Sequence, residues 1–102
     1  ETEAGAIHRV FDGCWENIPV AAIKSMTGHL IAAAGSLEIA ACAFTLNENI
    51  IPPNINLQRV GSGCNLKHIT EKNYRHDCEY VLTNSFGFGG QNASLVLRKV
   101  SK

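Results

Sequence analysis

Three groups of residues in this 102-residue sequence have the types and spacing to do chemistry. Lys24 and His29 stand five apart in the run KSMTGH, between a short apolar stretch and a long one. An imidazole where a helix begins can donate one hydrogen bond as a neutral ring in a fixed tautomer. It can equally be a polar loop residue capping the helix. Glu38 is the only carboxylate in the apolar run 28–47. There it must be paired or neutral, because burying a lone charge is costly. Lys24 is the one cation nearby in sequence. In a straight helix, at 1.5 Å per residue, Glu38 lies about 14 Å beyond His29, so a contact with Lys24 needs the chain to fold back. A Glu on a solvent-facing stripe is the alternative.

The third group is Asn84-Ser85-Phe86-Gly87-Phe88-Gly89-Gly90. Three glycines in four permit positive φ and close backbone approach. The run lacks GxxxxGK[ST] and precedes no helix, which argues against a phosphate cradle. Backbone N–H groups aimed at an oxyanion suit it better. A plain hairpin turn with two core aromatics is the other reading. Cys14, Cys42, Cys64 and Cys78 form no CxxC pair, and no histidine stands at zinc-finger spacing. They read as free thiols in a reducing compartment, with no metal site and no cofactor.

The elements that must position these groups can be read from periodicity. Ala6, Ile7, Val10 and Phe11 repeat as one face of an amphipathic helix over 2–12, with Thr2 as cap and Gly13 as stop. Residues 18–23, IPVAAI, read as a strand buried on both faces, with Pro19 at its first rung. Residues 24–29 read as a polar loop whose Thr27 caps a helix over 28–47. That helix is apolar on nearly every side, so it should be buried on nearly every side. Asn49 marks its end, and Pro52-Pro53 forces an extended path. The stretch 58–77 holds at most a short strand near 65–69. Residues 79–86 and 92–99 form a hairpin around the glycine-rich tip, with Ala93, Leu95 and Leu97 on one face.

Nine Lys+Arg balance nine Asp+Glu, which removes the basic excess of a nucleic-acid binder. The apolar run is too short, and broken by Glu38, to span a membrane. The charged fraction of 18% is low for so short a chain, which needs polar cover. Two helices and three strands cannot enclose a helix this apolar. One side of it is therefore expected to lack a partner within the chain, and the chain to be a piece of a longer product.

In order along the chain, ETEAGAIHRVF, KSMTGH, the Ala-rich helix with Glu38, IIPPNINL at 50–57 and NSFGFGGQNASLVL at 84–97 resemble the β-ketoacyl-[acyl-carrier-protein] synthases. The likeness is closest to members that elongate fatty acids. It implies an α/β chain that is the C-terminal part of a thiolase-like fold, layered α-β-α-β-α in the whole enzyme. Helix 28–47 would be the central-layer helix, and strands 18–23, 79–86 and 92–99 would share a mixed sheet. Residues 1–102 would be the C-terminal segment of the second half, with the half that bears the catalytic cysteine absent.

The implied reaction is a decarboxylating Claisen condensation of an acyl thioester with malonyl carrier protein. His29 would hydrogen-bond the malonyl thioester carbonyl. Lys24 would be the active-site lysine, and Glu38 the glutamate paired with it. Phe88 would be the gating phenylalanine and supply an oxyanion N–H, with Phe86 and Gly87 in the same loop. The nucleophile is not among the four cysteines, so the segment alone should be inactive. Acyl carrier protein, malonyl carrier protein, an acyl thioester, the missing N-terminal part and a second copy of the enzyme are the implied partners. The cytoplasm is the implied location, or a plastid or mitochondrion in a eukaryote. A polyketide ketosynthase and a non-catalytic partner subunit are the alternatives. Gln91, where the family usually has Thr, and Ala21-Ala22-Ile23, where it is usually polar, depart from the pattern.

Overall fold

The computed structural model describes residues 1–101. Helix α1, Thr2–Val10, packs by the buried Ala4 and the half-buried Ala6 and Ile7. It is shorter than the periodicity predicts. Glu1, not Thr2, takes the N-cap position, and Phe11 closes the end by donating its N–H to the Ile7 carbonyl at 2.9 Å. Gly13 lies in the turn beyond.

The strand expected over 18–23 contracts to β1, Pro19–Val20, and Ala21 and Ala22 are exposed rather than buried on two faces. The physical reason is the neighbour. β1 pairs in parallel only with β3, Lys67–His68, so its ladder is two residues long. The expected polar loop opens instead with a single helical turn, α2, Lys24–Thr27. Thr27 Oγ1 donates to the Ile23 and Gly28 carbonyls rather than capping the long helix. Gly28, at φ 73°, ends the turn. Ile31–Ala33 is a 3₁₀ turn, and the long helix α3 starts at Ala34 and runs to Glu48, six residues later than predicted. Asn49 ends it in the left-handed conformation, as expected from its type.

Strand β2, Ile50–Ile51, pairs antiparallel with β4, Tyr74–Arg75. The sequence reading lacks this pair, though it does place a strand near β3. Strands β5, Tyr80–Phe86, and β6, Asn92–Arg98, form the expected hairpin, in register from Tyr80 opposite Arg98 to Phe86 opposite Asn92. Among the described residues the strands form three separate two-stranded sheets, so β1 and the hairpin do not share one mixed sheet. Among the described residues there are three α-helices and six strands, where about two helices and three main strands were expected.

α3 packs against β5, with further contacts to β2 and β6. Its buried side carries Cys42, Thr45 and Leu46, close to Ile51 and Ile69 in burial. Its other side does not meet the all-round burial that its composition predicts. Ile39 is 41% exposed and Phe44 51%. The face Ala93-Leu95-Leu97 of β6 is likewise largely uncovered. Among the described residues nothing covers these apolar side chains. No described helix is long and apolar enough to cross a membrane.

Candidate active site

Lys24 is the first residue of α2, and Glu38 lies one turn into α3. The chain turns at Gly28 and Ile31, both at positive φ, between α2 and α3, and Lys24 reaches Glu38 across that turn. Lys24 Nζ donates to Glu38 Oε1 at 2.7 Å. The Glu38 side chain is 16% exposed and that of Lys24 46%. Glu38 is therefore the paired carboxylate rather than a solvent-facing one. Its second oxygen accepts a hydrogen bond from Thr83 Oγ1 of β5 at 3.2 Å. Sequence reasoning missed Thr83. Its only signal was its position, three residues before Phe86 on the strand that α3 packs against.

His29 lies in the reversal, two residues before the 3₁₀ turn rather than at the start of α3. What fixes its ring is a backbone group: Ile31 N–H donates to His29 Nδ1 at 2.9 Å. An acceptor Nδ1 in a neutral ring leaves the proton on Nε2, so Nε2 is the donor. Among the described residues nothing engages that donor. The N–H reaches Nδ1 because Ile31 holds φ 53°. The other non-glycine residues at positive φ are all asparagines, which tolerate it. A β-branched residue does so only under strain, on the order of 1–3 kcal/mol. No sequence signal announced it.

Phe86, Gly87 and Phe88 lie at the tip of the hairpin. Gly87 N–H donates to the Gln91 carbonyl at 2.7 Å and closes the turn. Gly89 and Gly90 carry φ 82° and 81°, which the run of glycines foreshadowed. The Phe88 N–H takes no part in the turn's backbone hydrogen bonds. The Phe88 side chain is fully exposed and Phe86 largely so, which removes the reading of two core aromatics. The tip joins the ion pair through β5, which carries Thr83 onto Glu38 and ends at Phe86.

The cysteines have no partner chemistry here. All four are free. Burial first, then the Glu38 carboxylate, push the Cys42 thiol up; burial and Asp77 outweigh Lys99 in raising Cys78. A nucleophilic thiol needs the opposite shift. Among the described residues no group of His, Cys, Asp and Glu could hold a metal ion.

The comparisons with known proteins meet this geometry. The model of the beta-ketoacyl synthase C-terminal domain matches residues 1–58. The chain belongs to the β-ketoacyl synthase family. The resemblance first read from the motifs is thus borne out. The chain is 40% identical over 98 residues to a 3-oxoacyl-[acyl-carrier-protein] synthase 2 of Coxiella burnetii, covering 96% of this chain and 24% of that protein. It is 38% identical over 96 residues to the actinorhodin polyketide putative beta-ketoacyl synthase 1 of Streptomyces coelicolor, covering 94% and 21%. Among solved structures it superposes with a TM-score of 0.91, at 33% identity, on a chain of AntDE:AntF, a type II polyketide acyl-carrier protein in complex with its ketosynthase. That match covers 96% of this chain and 24% of the other. A beta-ketoacyl synthase of Burkholderia phymatum matches at 36% identity and TM-score 0.78, over 82% and 21%. The fold is accordingly part of the thiolase-like ketosynthase fold. The chain spans about a quarter of the length of these relatives.

Proposed function

We propose that this chain is the C-terminal segment of a 3-oxoacyl-ACP synthase, an acyltransferase, and that it supplies the decarboxylating side of a Claisen condensation. The observation that carries the reading is His29, whose Nδ1 is occupied by the Ile31 N–H and whose Nε2 donor is unengaged among the described residues. Such a donor can stabilise charge that develops on a malonyl thioester carbonyl oxygen as CO2 leaves. The carbanion then attacks the acyl carbonyl of a thioester held on a cysteine in the other half of the enzyme; the new C–C bond forms as the C–S bond breaks, and the cysteine thiolate leaves. Lys24 and Glu38 are the ion pair of the same site. The Phe88 N–H, in the loop Phe86-Gly87-Phe88, is the second oxyanion donor, and the Phe88 ring gates the nucleophile.

The segment by itself is inactive, because the nucleophilic cysteine belongs to the other half of the enzyme and none of Cys14, Cys42, Cys64 and Cys78 stands at its position. Acyl carrier protein and malonyl carrier protein are the partners, the enzyme is a homodimer, and the cytoplasm is its place of action. Support for the carrier-protein partner comes from a neighbour solved with its own acyl-carrier protein.

A second reading, a polyketide ketosynthase, is favoured by one observation: the TM-score of 0.91 is to a polyketide synthase chain. One experiment serves both. The full-length synthase carrying this segment is given acyl carrier protein substrates and malonyl carrier protein. CO2 and 3-oxoacyl product are expected in equal amounts. One round of extension supports fatty-acid elongation; repeated rounds without reduction support the polyketide reading. No CO2 and no product would refute the enzyme and leave the non-catalytic partner subunit.

A further inference from the structure

Residues 21–23 lead from β1 into Lys24, and little holds them. β1 ends at Val20, its ladder is two residues long, and Ala21 and Ala22 are exposed. A four-residue helix such as α2 cannot hold itself either, since helix nucleation is unfavourable. What fixes the segment is side-chain hydrogen bonding. Asn54 Oδ1 accepts from the Ala22 N–H at 2.8 Å. Asn54 Nδ2 donates to the Val20 carbonyl at 3.1 Å and the Ile69 carbonyl at 3.0 Å. One residue on, the Ile55 N–H donates to Ser25 Oγ at 3.0 Å, and that hydroxyl donates to the Ala22 carbonyl at 3.1 Å. Both backbone groups of Ala22 are thus held by side chains, and Lys24 stands between the two clasped residues, Ala22 and Ser25.

We propose that Asn54, which holds the Ala22 N–H while Ser25 holds the Ala22 carbonyl, is a positioning residue for the Lys24–Glu38 pair. The inference rests on the condensation described above. Asn54 meets no reacting group; it sets the path of the backbone from which Lys24 reaches Glu38. Its own N–H donates to the Ile69 carbonyl at 2.7 Å, so the loop 54–69 keeps a tie when the side chain is removed.

The test compares Asn54→Ala, Lys24→Ala and the double variant in the full-length synthase. Asn54→Ala is expected to lower kcat about tenfold with KM little changed, as misplacement of a catalytic group does. The double variant is expected to be within about twofold of Lys24→Ala, because the two residues act as one. Losses that multiply would assign Asn54 a structural role and overturn the proposal. Crystal structures separate this from failure of the functional reading. Even if the wild type releases no CO2, the Asn54→Ala structure is expected to show the 2.7 Å Lys24–Glu38 contact broken. An intact contact overturns the proposal. If Asn54→Ala does not fold, Ser25→Ala, which releases only the Ala22 carbonyl and the Ile55 N–H, must break the same contact; if it does not, the proposal fails.

Discussion

At the scale of single residues, the site is a set of polar atoms whose partners are fixed by backbone. Glu38 shows how this works. Its carboxylate has two partners, the Lys24 ammonium and the Thr83 hydroxyl, and little access to water. Replacing Lys24 by Met leaves a mostly buried carboxylate with the hydroxyl alone. Chemical denaturation is expected to show a loss of about 1–3 kcal/mol, the usual cost of an unpaired buried polar group. Lys24→Met together with Glu38→Gln should recover part of that loss. Cys42 gives a pH prediction. Its folded-state pKa is raised, so its contribution is complete below the unfolded value and is lost as pH rises through the folded one. Stability should therefore fall on the alkaline side. Cys42→Ala should flatten that fall in denaturation curves taken at neutral pH and above the thiol range. An unchanged alkaline slope would contradict the assignment.

At the scale of elements, the decisive feature is the reversal between α2 and α3. The side-chain pattern made 28–47 one helix, because Leu30 to Ala34 are apolar residues without a breaker. Gly28 was the available signal, and it was outweighed. The Ile31 backbone was not legible at all, since an isoleucine at positive φ goes against its own propensity. Replacing Ile31 by Asn, which tolerates this conformation, should raise stability by about 1 kcal/mol while keeping the N–H on His29. A thermal unfolding comparison checks it; a lower midpoint would count against backbone strain. The hairpin was legible to within one residue at each outer end, because alternation and a glycine-rich tip specify it locally. β2 and β4 were not, because two-residue strands joined across a polar loop carry no periodicity. Lys24, His29 and Glu38 stood out in the sequence as residue types and family motif, and the Lys24–Glu38 contact is present in the fold. Their geometry, and the contributions of Thr83, Asn54 and Ser25, depend on long-range contacts that no local pattern encodes.

At the scale of the whole molecule, the apolar residues exceed what the chain covers. Ile39 and Phe44 of α3 are exposed, as are Leu95 on one face of the hairpin and Leu82 and Val96 on the other, and exposed apolar area of this kind drives association. Residues 1–102 alone are expected to elute as oligomers in size-exclusion chromatography and to bind a hydrophobic dye. A monodisperse monomer with cooperative unfolding would contradict this. The same surface explains the low charge of the sequence, which is that of a segment meant to lie against other chain. On the function proposed for the assembled enzyme, His29 is the donor that stabilises the decarboxylation step. In the full-length synthase, His29→Ala should reduce CO2 release from malonyl carrier protein by about 10²–10³-fold, the effect of losing one oxyanion donor. Transfer of the acyl chain to the enzyme should proceed at its normal rate. Undiminished decarboxylation in that variant would contradict the central claim.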